Sequence, residues 1–365
     1  MYGKLKYNCL SLLDIQANMR IIKYLIPFVL FAGAWLSYHS TGIYCWLSFL
    51  FSFLLVPVAE LVLPADSSNL SEEDELQAKQ NPMYDLVLYV AFILQIYCLY
   101  LFLSQIAAPQ IANIDRVGRV LTAGLLAGIF GINLAHELGH RVKVYEQTMS
   151  KILLSTSLYM HFFIEHNRGH HSHVSTPDDP STAKYKQSVY AFFFQTIPGT
   201  YLSAWRIMRA ELTKKGLGFW SIQNEMLLYT VFQIGLLVGI YLVWGMPTCL
   251  YFMASAAIGA LLLESVNYIE HYGLLRSKNE EGRYGRVKPE HSWNSNHLLG
   301  RILLFELSRH SDHHYLASRK YQVLRHHEGA PQMPTGYPGM LILALVPPLY
   351  FWVMDQQMRK YGVLK

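Results

Sequence analysis

Charge is scarce in this sequence. Only 15% of its 365 residues are Asp, Glu, Lys or Arg, where a soluble domain carries about 25%. With a mean hydropathy of +0.19, that excludes a disordered chain and an ordinary soluble enzyme. Cysteine is sparse too. Cys9, Cys45, Cys98 and Cys249 are far apart and form no C-x-x-C pair. This excludes a thiolate zinc site, an iron–thiolate centre and a disulfide framework within the chain. The balance of 30 basic against 25 acidic residues is too mild to indicate nucleic acid. Internal repeats, low-complexity tracts and a small-residue cleavage site after the polar start are also lacking.

What the sequence does have is long uncharged runs. Tyr24 to Ala59 spans 36 residues, Leu86 to Ile114 spans 29, Val120 to His136 spans 17 and Met226 to Leu263 spans 38. A membrane-crossing helix needs roughly 20 apolar residues. The first run breaks at the turn-rich segment 37–42 and the last at Trp244-Gly245-Met246-Pro247. The pattern predicts an all-α integral membrane protein with a single domain over 1–365. Its six spans lie near 22–37, 43–63, 85–107, 118–136, 226–244 and 248–268. An acidic loop covers 65–83, and polar regions cover 141–224 and 273–365. The apolar stretch Met340 to Met354 holds Pro347-Pro348 and is too short to cross, so it is expected at the interface or on the protein. Six spans put both termini on one side. Lys and Arg are abundant in the start (Lys4, Lys6, Arg20, Lys23) and in 141–224, so that side is expected to be cytoplasmic.

The 16 histidines are clustered. Four segments carry them: His136-Glu-Leu-Gly-His140, Glu165-His166-Asn-Arg-Gly-His170-His171, Asn267-Tyr-Ile-Glu270-His271-Tyr-Gly, and Arg309-His310-Ser-Asp312-His313-His314. On a helix, residues i and i+3 or i+4 share a face, which suits two imidazoles on one metal. His136/His140 and His166/His170 form such pairs, and His310, His313 and His314 hold both spacings. His171 and His314 lie one step round and could reach a second metal. Nine histidines exceed the coordination of one ion, so two metals fit better. Imidazole suits Fe, Cu, Zn and Ni. The adjacent Glu137, Glu165, Asn267, Glu270 and Asp312 are expected to hold ring N–H groups and fix tautomers.

H-E-x-x-H also matches a zinc protease motif, but that reading leaves the other histidines unexplained. His161, His173, His291 and His297 are expected to be hydrogen-bonded or to face substrate. His39, His326 and His327 are expected on the surface or in loops.

The segments H-E-L-G-H, E-H-N-R-G-H-H, N-Y-I-E-H-Y-G and L-S-R-H-S-D-H-H resemble the four motifs of the membrane alkane 1-monooxygenases. Three of them are similar to those of the wider integral-membrane di-iron desaturase and hydroxylase superfamily. The motif around His271 resembles the alkane and xylene hydroxylase branch. Pro289-Glu-His-Ser-Trp-Asn-Ser-Asn-His297, Thr176-Pro-Asp-Asp-Pro180 with Ala183-Lys184, and Met333-Pro-Thr-Gly-Tyr-Pro-Gly339 add to the likeness, which covers roughly residues 20–355. Arg141, Ser308 and Glu306 depart from the common pattern. The last two are expected to alter the surroundings of His310 without removing a ligand.

The resemblance implies two irons held by the nine histidines and O2-dependent hydroxylation of the terminal carbon of an n-alkane. One oxygen atom leaves as water. It also implies a bacterial inner-membrane location with the site on the cytoplasmic side. The chain has no G-x-G-x-x-G loop, haem motif or redox thiolate pair, so electrons must come from a donor. The family implies a rubredoxin supplied by a rubredoxin reductase, and Arg141, Lys143, Arg168, Arg309 and Arg319 are candidate basic contacts.

An alkane offers no polar handle. At about 0.8 kcal/mol per buried CH2, burial binds it but discriminates length poorly, so channel shape must select the terminal carbon. Trp35, Phe49, Phe51, Phe53, Leu54, Leu55 and Leu134 are candidate walls. A xylene-type hydroxylase, a fatty-acid desaturase and a histidine-rich metal transporter remain as alternatives. Transporters keep ligands near the midplane, whereas these segments sit at span ends and in polar regions.

Overall fold

The structure, a computed structural model, describes residues 20–364. Lys4, Lys6 and Cys9 lie outside the described residues. The described chain is helical and contains only two isolated β-bridges. Five helices are long and apolar enough to cross a membrane: α1 (Arg20–His39), α2 (Gly42–Glu60), α4 (Met83–Gln105), α5 (Asn113–Gly139) and α8 (Glu225–His271). The acidic loop contains a short helix, α3 (Glu72–Gln80). The Ser71 side chain caps it by accepting from the Asp74 N–H, and four acidic residues fill its first turn, where the helix dipole favours them.

The count of five differs from the expected six because α8 is one run of 47 residues. A straight helix of that length would measure about 70 Å, more than twice the hydrocarbon core. It is not straight. Gly245 has φ 81° and ψ 172°, a conformation that glycine adopts without a Cβ penalty, and Pro247 follows at a position that cannot donate. Cys249 Sγ lies 3.8 Å from the Leu237 carbonyl. Twelve residues of unbroken helix would separate them by about 18 Å, so the two arms fold back on one another at Gly245.

The second arm of α8 packs on α5 through small residues. A Cβ at Gly124 would stand 2.5 Å from Ile258 Cγ2, and one at Gly259 would stand 2.9 Å from Ala127 Cβ. Small residues let helix backbones approach in this way. The contact carries the C-terminal ends of α5 and α8, with His136 and His271, to one place.

The polar regions form a helical layer over those ends. It contains α6 (Val144–Ser155), α7 (Val189–Lys214), α9 (Leu298–Leu303), α10 (His310–Tyr315), α11 (Tyr337–Ala344) and α12 (Pro347–Lys360). The final apolar stretch lies on the protein. Tyr350 is buried against Tyr268 and Tyr272, with ring centroids 5.1 and 5.0 Å apart, and Lys186 pairs with Asp355 at 2.7 Å.

Candidate metal centre

The four histidine segments meet. His136, His140, His166, His171 and His313 form one group, and His170, His271, His310 and His314 form a second. Within each group the candidate ligand nitrogens all lie within 4.8 Å of one another. In the group of five, Nε2 faces Nε2 at 2.9 Å for His136–His313, 3.2 Å for His313–His171, 3.0 Å for His171–His166 and 3.2 Å for His166–His140. In the group of four the pairs are His170–His314 at 3.2 Å and His310–His271 at 3.1 Å. Ligands about 2.1 Å from a common ion stand about 3 Å apart when cis. The groups adjoin, with the His171 and His314 ring centroids 4.7 Å apart.

The partition departs from the expected pairing. His136 and His140 share a group, as do His310 and His314, but His166 joins His171 and not His170. The reason is local. Residues Glu165–His170 form a π-helical turn, in which i and i+5 come into register rather than i and i+4. The apparent i,i+4 pair is therefore divided between the groups, and His171 returns to the group of His166. His313 stays with the first group while His314 enters the second.

Burial and the neighbouring imidazoles hold His140, His166, His171, His310, His313 and His314 well below the ordinary histidine range. They are neutral at pH 7, the form that ligates metal. His170 is the exception. Burial opposes its charge, but the Asp179 carboxylate 3.0 Å from Nδ1, together with Glu165 and Glu270, outweighs burial and raises it. That contact turns Nε2 of His170 inward, as a carboxylate behind a metal-bound imidazole does.

The residues expected to hold the ring N–H groups fare unevenly. Glu270 does contact a site ring: its Oε1 lies 3.2 Å from His310 Nδ1 and accepts from Tyr337 Oη at 2.7 Å. Glu137 instead takes both Nε and Nη2 of Arg141 and the Tyr321 N–H. So engaged, it is not a free base for a protease. Asp312 is bound to Arg319, His327 and the Arg325 N–H. Asn267 donates to Glu264 at 3.1 Å. Glu165, pushed up to about 8 by burial, accepts from Ser203. Glu137, Glu165 and Asp312 each neighbour a ligand in sequence and so point to another face of the helix, while Asn267, on the face of His271, is taken up by Glu264.

Sequence reasoning missed Asp179 as a partner, although the segment 176–180 had been singled out. It also missed Glu264, a buried carboxylate that accepts from Tyr159, Thr196 and Asn267. The departures in the pattern leave the ligands untouched. Ser308 donates to the Ser295 carbonyl, and Glu306 binds Lys23, Tyr24 and Arg301.

Of the other histidines, His161 is buried beside Tyr159 and held at about 3 by desolvation. His173 contacts the Gly169 carbonyl and His291 the Lys288 N–H. His297 contacts Ser295, and His326 contacts Asn296. His39 stacks on Trp35.

Of the expected channel walls, Phe53 lines an apolar cavity and the others do not. Trp35, Leu54 and Leu55 stand on exposed faces of α1 and α2, and Leu134 is fully buried. An apolar cavity does exist, lined by Phe53, Leu125, Ile129, Leu262 and Leu303, and it reaches Glu270 and Tyr337 beside the second histidine group. Along a uniformly apolar span, hydropathy does not tell the inner face from the outer. All five basic residues expected to meet a donor already have partners within the chain, Lys143 by donating to Tyr145 Oη. Arg141 binds Glu137 and Asp85, Arg168 binds Glu211 and Glu225, Arg319 binds Asp312, and Arg309 binds backbone carbonyls.

Residues 117–343 match the fatty acid desaturase family. The chain is 40% identical over 311 residues to Alkane 1-monooxygenase 1 of Pseudomonas aeruginosa, covering 85% of this chain and 81% of the relative. It is 35% identical to Alkane 1-monooxygenase of Ectopseudomonas oleovorans, covering 94% and 85% of the two chains. It is 28% identical to the xylene/toluene monooxygenase hydroxylase component of Pseudomonas putida, covering 90% and 86%. Matches of that identity and coverage, together with two convergent histidine groups at the ends of apolar helices, establish that this chain belongs to the alkane 1-monooxygenases within the fatty acid desaturase superfamily.

Proposed function

We propose that the protein hydroxylates the terminal carbon of n-alkanes at two irons, one in each histidine group, with O2 and electrons from a rubredoxin. The balance is RCH3 + O2 + 2e⁻ + 2H⁺ → RCH2OH + H2O. The observation that carries this reading is the pair of adjoining Nε2 groups. Nε2 atoms face one another at 2.9 to 3.1 Å across the site, an arrangement a cation stabilises. The all-imidazole set with no thiolate suits iron.

When bound, the irons would supply O2 activation. The chain's own work is to hold and to exclude. His136, His140, His166, His171 and His313 would hold one iron, and His170, His271, His310 and His314 the other. Asp179 and Glu270 keep Nδ1 of His170 and His310 engaged, so that Nε2 faces the site. The apolar cavity from Phe53 to Glu270 would seat the alkane and keep water from its methyl end.

The reading includes six crossings of a bacterial inner membrane, with the site and both termini on the cytoplasmic side. The fold-back at Gly245 supports it, because the arms 225–244 and 246–271 are each about 30 Å or longer. The rubredoxin rests on family likeness and on the lack of any redox group of the chain's own.

Purified full-length protein is expected to carry about two irons per chain and to convert octane to 1-octanol when supplied with rubredoxin, its reductase and NADH. His271→Ala is expected to lose most activity and about half the iron. Full activity in that variant, or wild-type protein without stoichiometric iron, would overturn the assignment.

A further inference from the structure

The helix α7 lies across the base of α8, and its outer face is not that of a soluble helix. Tyr190, Phe194, Tyr201 and Leu202 are exposed along it, Phe194 at 86%. Beyond its end, the segment leading into α8 exposes Trp220 at 81% and Ile222 at 85%. Aromatic residues at the foot of a span mark the headgroup level of a bilayer. Between the C-terminal half of α7 and this segment runs a groove with an apolar floor of Leu202, Trp205, Leu212 and Leu217. Trp205 and Phe219 stack across it, with centroids 5.7 Å apart and planes at 14°.

Arg206 and Arg209 border the groove and are exposed. The nearby carboxylates are already engaged: Glu211 pairs with Arg168 at 3.0 Å, and Glu225 with Arg168 at 3.1 Å and Lys151 at 3.5 Å. The side chains of Arg206 and Arg209 make no hydrogen bond or ion pair among the described residues, so two guanidinium groups stand beside an apolar trough without a carboxylate partner.

We infer that this groove binds one anionic phospholipid. Its phosphate lies between Arg206 and Arg209, which offer planar donor forks to phosphate oxygens. Its acyl chains run over Trp205 and Leu202 and onto the exposed apolar face of the first α8 arm, where Leu228, Val231 and Phe232 continue the surface. An acidic protein would satisfy the arginines, but it would have to cover Trp220 and Ile222 at the level of the headgroups. A lipid satisfies both. The site is separate from the histidine groups and from the apolar cavity, and it stands whichever alkane the enzyme takes.

The test uses the full-length protein reconstituted in nanodiscs of phosphatidylcholine, with and without phosphatidylglycerol. Native mass spectrometry after delipidation in mild detergent is expected to show one phosphatidylglycerol retained per chain. The double variant Arg206→Gln/Arg209→Gln is expected to weaken retention tenfold or more, since each cation near an anionic surface contributes measurably. Arg283→Gln, in a distant loop, should retain the lipid. In case the double variant does not fold, the wild type supplies a second readout. Tryptophan fluorescence is expected to be quenched more strongly by brominated phosphatidylglycerol than by brominated phosphatidylcholine at equal mole fraction. Equal retention in the variant, equal quenching by the two lipids, or cross-linking of two chains through Trp220 would each overturn the proposal.

Discussion

Individual side chains set the tightest constraints. Asp179 is fully buried, and although burial opposes its charge, His170 holds its carboxyl below the ordinary range. It also accepts from Thr182 Oγ1 at 2.6 Å and from the Ser181 N–H, so it is fixed before it fixes the ring. Asp179→Asn is expected to lower metal retention and turnover by about 10–100-fold, measured as iron per chain and octanol formed.

Glu306 shows the opposite economy of charge. Burial alone would raise its carboxyl, yet Lys23 at 2.6 Å and Arg301 at 2.7 Å pull it down to about 2, from an ordinary 4.5. A folded value below the unfolded one means the stabilisation is fully present above pH 4.5 and is lost as pH falls toward 2. The shift corresponds to a contribution on the order of a few kcal/mol. Glu306→Gln should therefore melt lower at neutral pH and show a flatter acid limb, as thermal unfolding in detergent between those limits would reveal.

At the scale of elements, the short π-helical turn at Glu165–His170 decides which ligands belong together. The spacing of His136 and His140 could be read from the sequence because α5 is regular there. The spacing of His166, His170 and His171 could not, because no residue in Glu-His-Asn-Arg-Gly-His announces an extra residue in the turn. The four histidine segments and most span limits were legible from residue type and hydropathy. The facing of Trp35, Leu54 and Leu55 was not, since apolar spans look alike all round, and Asp179 was hidden because its partnership with His170 is made by the loop that follows the π-helical turn.

The α5–α8 contact gives a further prediction. A Cβ at Gly259 would press on the Ala127 Cβ at 2.9 Å and on backbone at 3.2 Å, which cannot yield. Gly259→Val is expected to cost about 1–3 kcal/mol of stability. It should also release iron, because the separated helices carry His136 and His271. A melting curve and metal analysis on the same sample would show both effects, and a variant that melts normally with full iron would refute the coupling.

For the molecule as a whole, the neutral imidazoles in the site make metal and fold interdependent. Removal of iron with a chelator leaves facing lone pairs in buried surroundings. The stripped protein is expected to unfold at a lower temperature, and ferrous iron should restore the original value. The shift should be smaller in His271→Ala, which is expected to keep only the iron of the first group.

The order of the ligands along the chain has a consequence for biogenesis. The segment His310–Tyr315 contributes one imidazole to the first group and two to the second. A nascent chain that ends before it holds four of the first five and two of the second four. The candidate spans, which end at His271, therefore leave the ribosome and enter the bilayer before either cage can close. On the proposed reading, metal loading would follow insertion of the spans, with the last three imidazoles closing both cages on an already embedded chain.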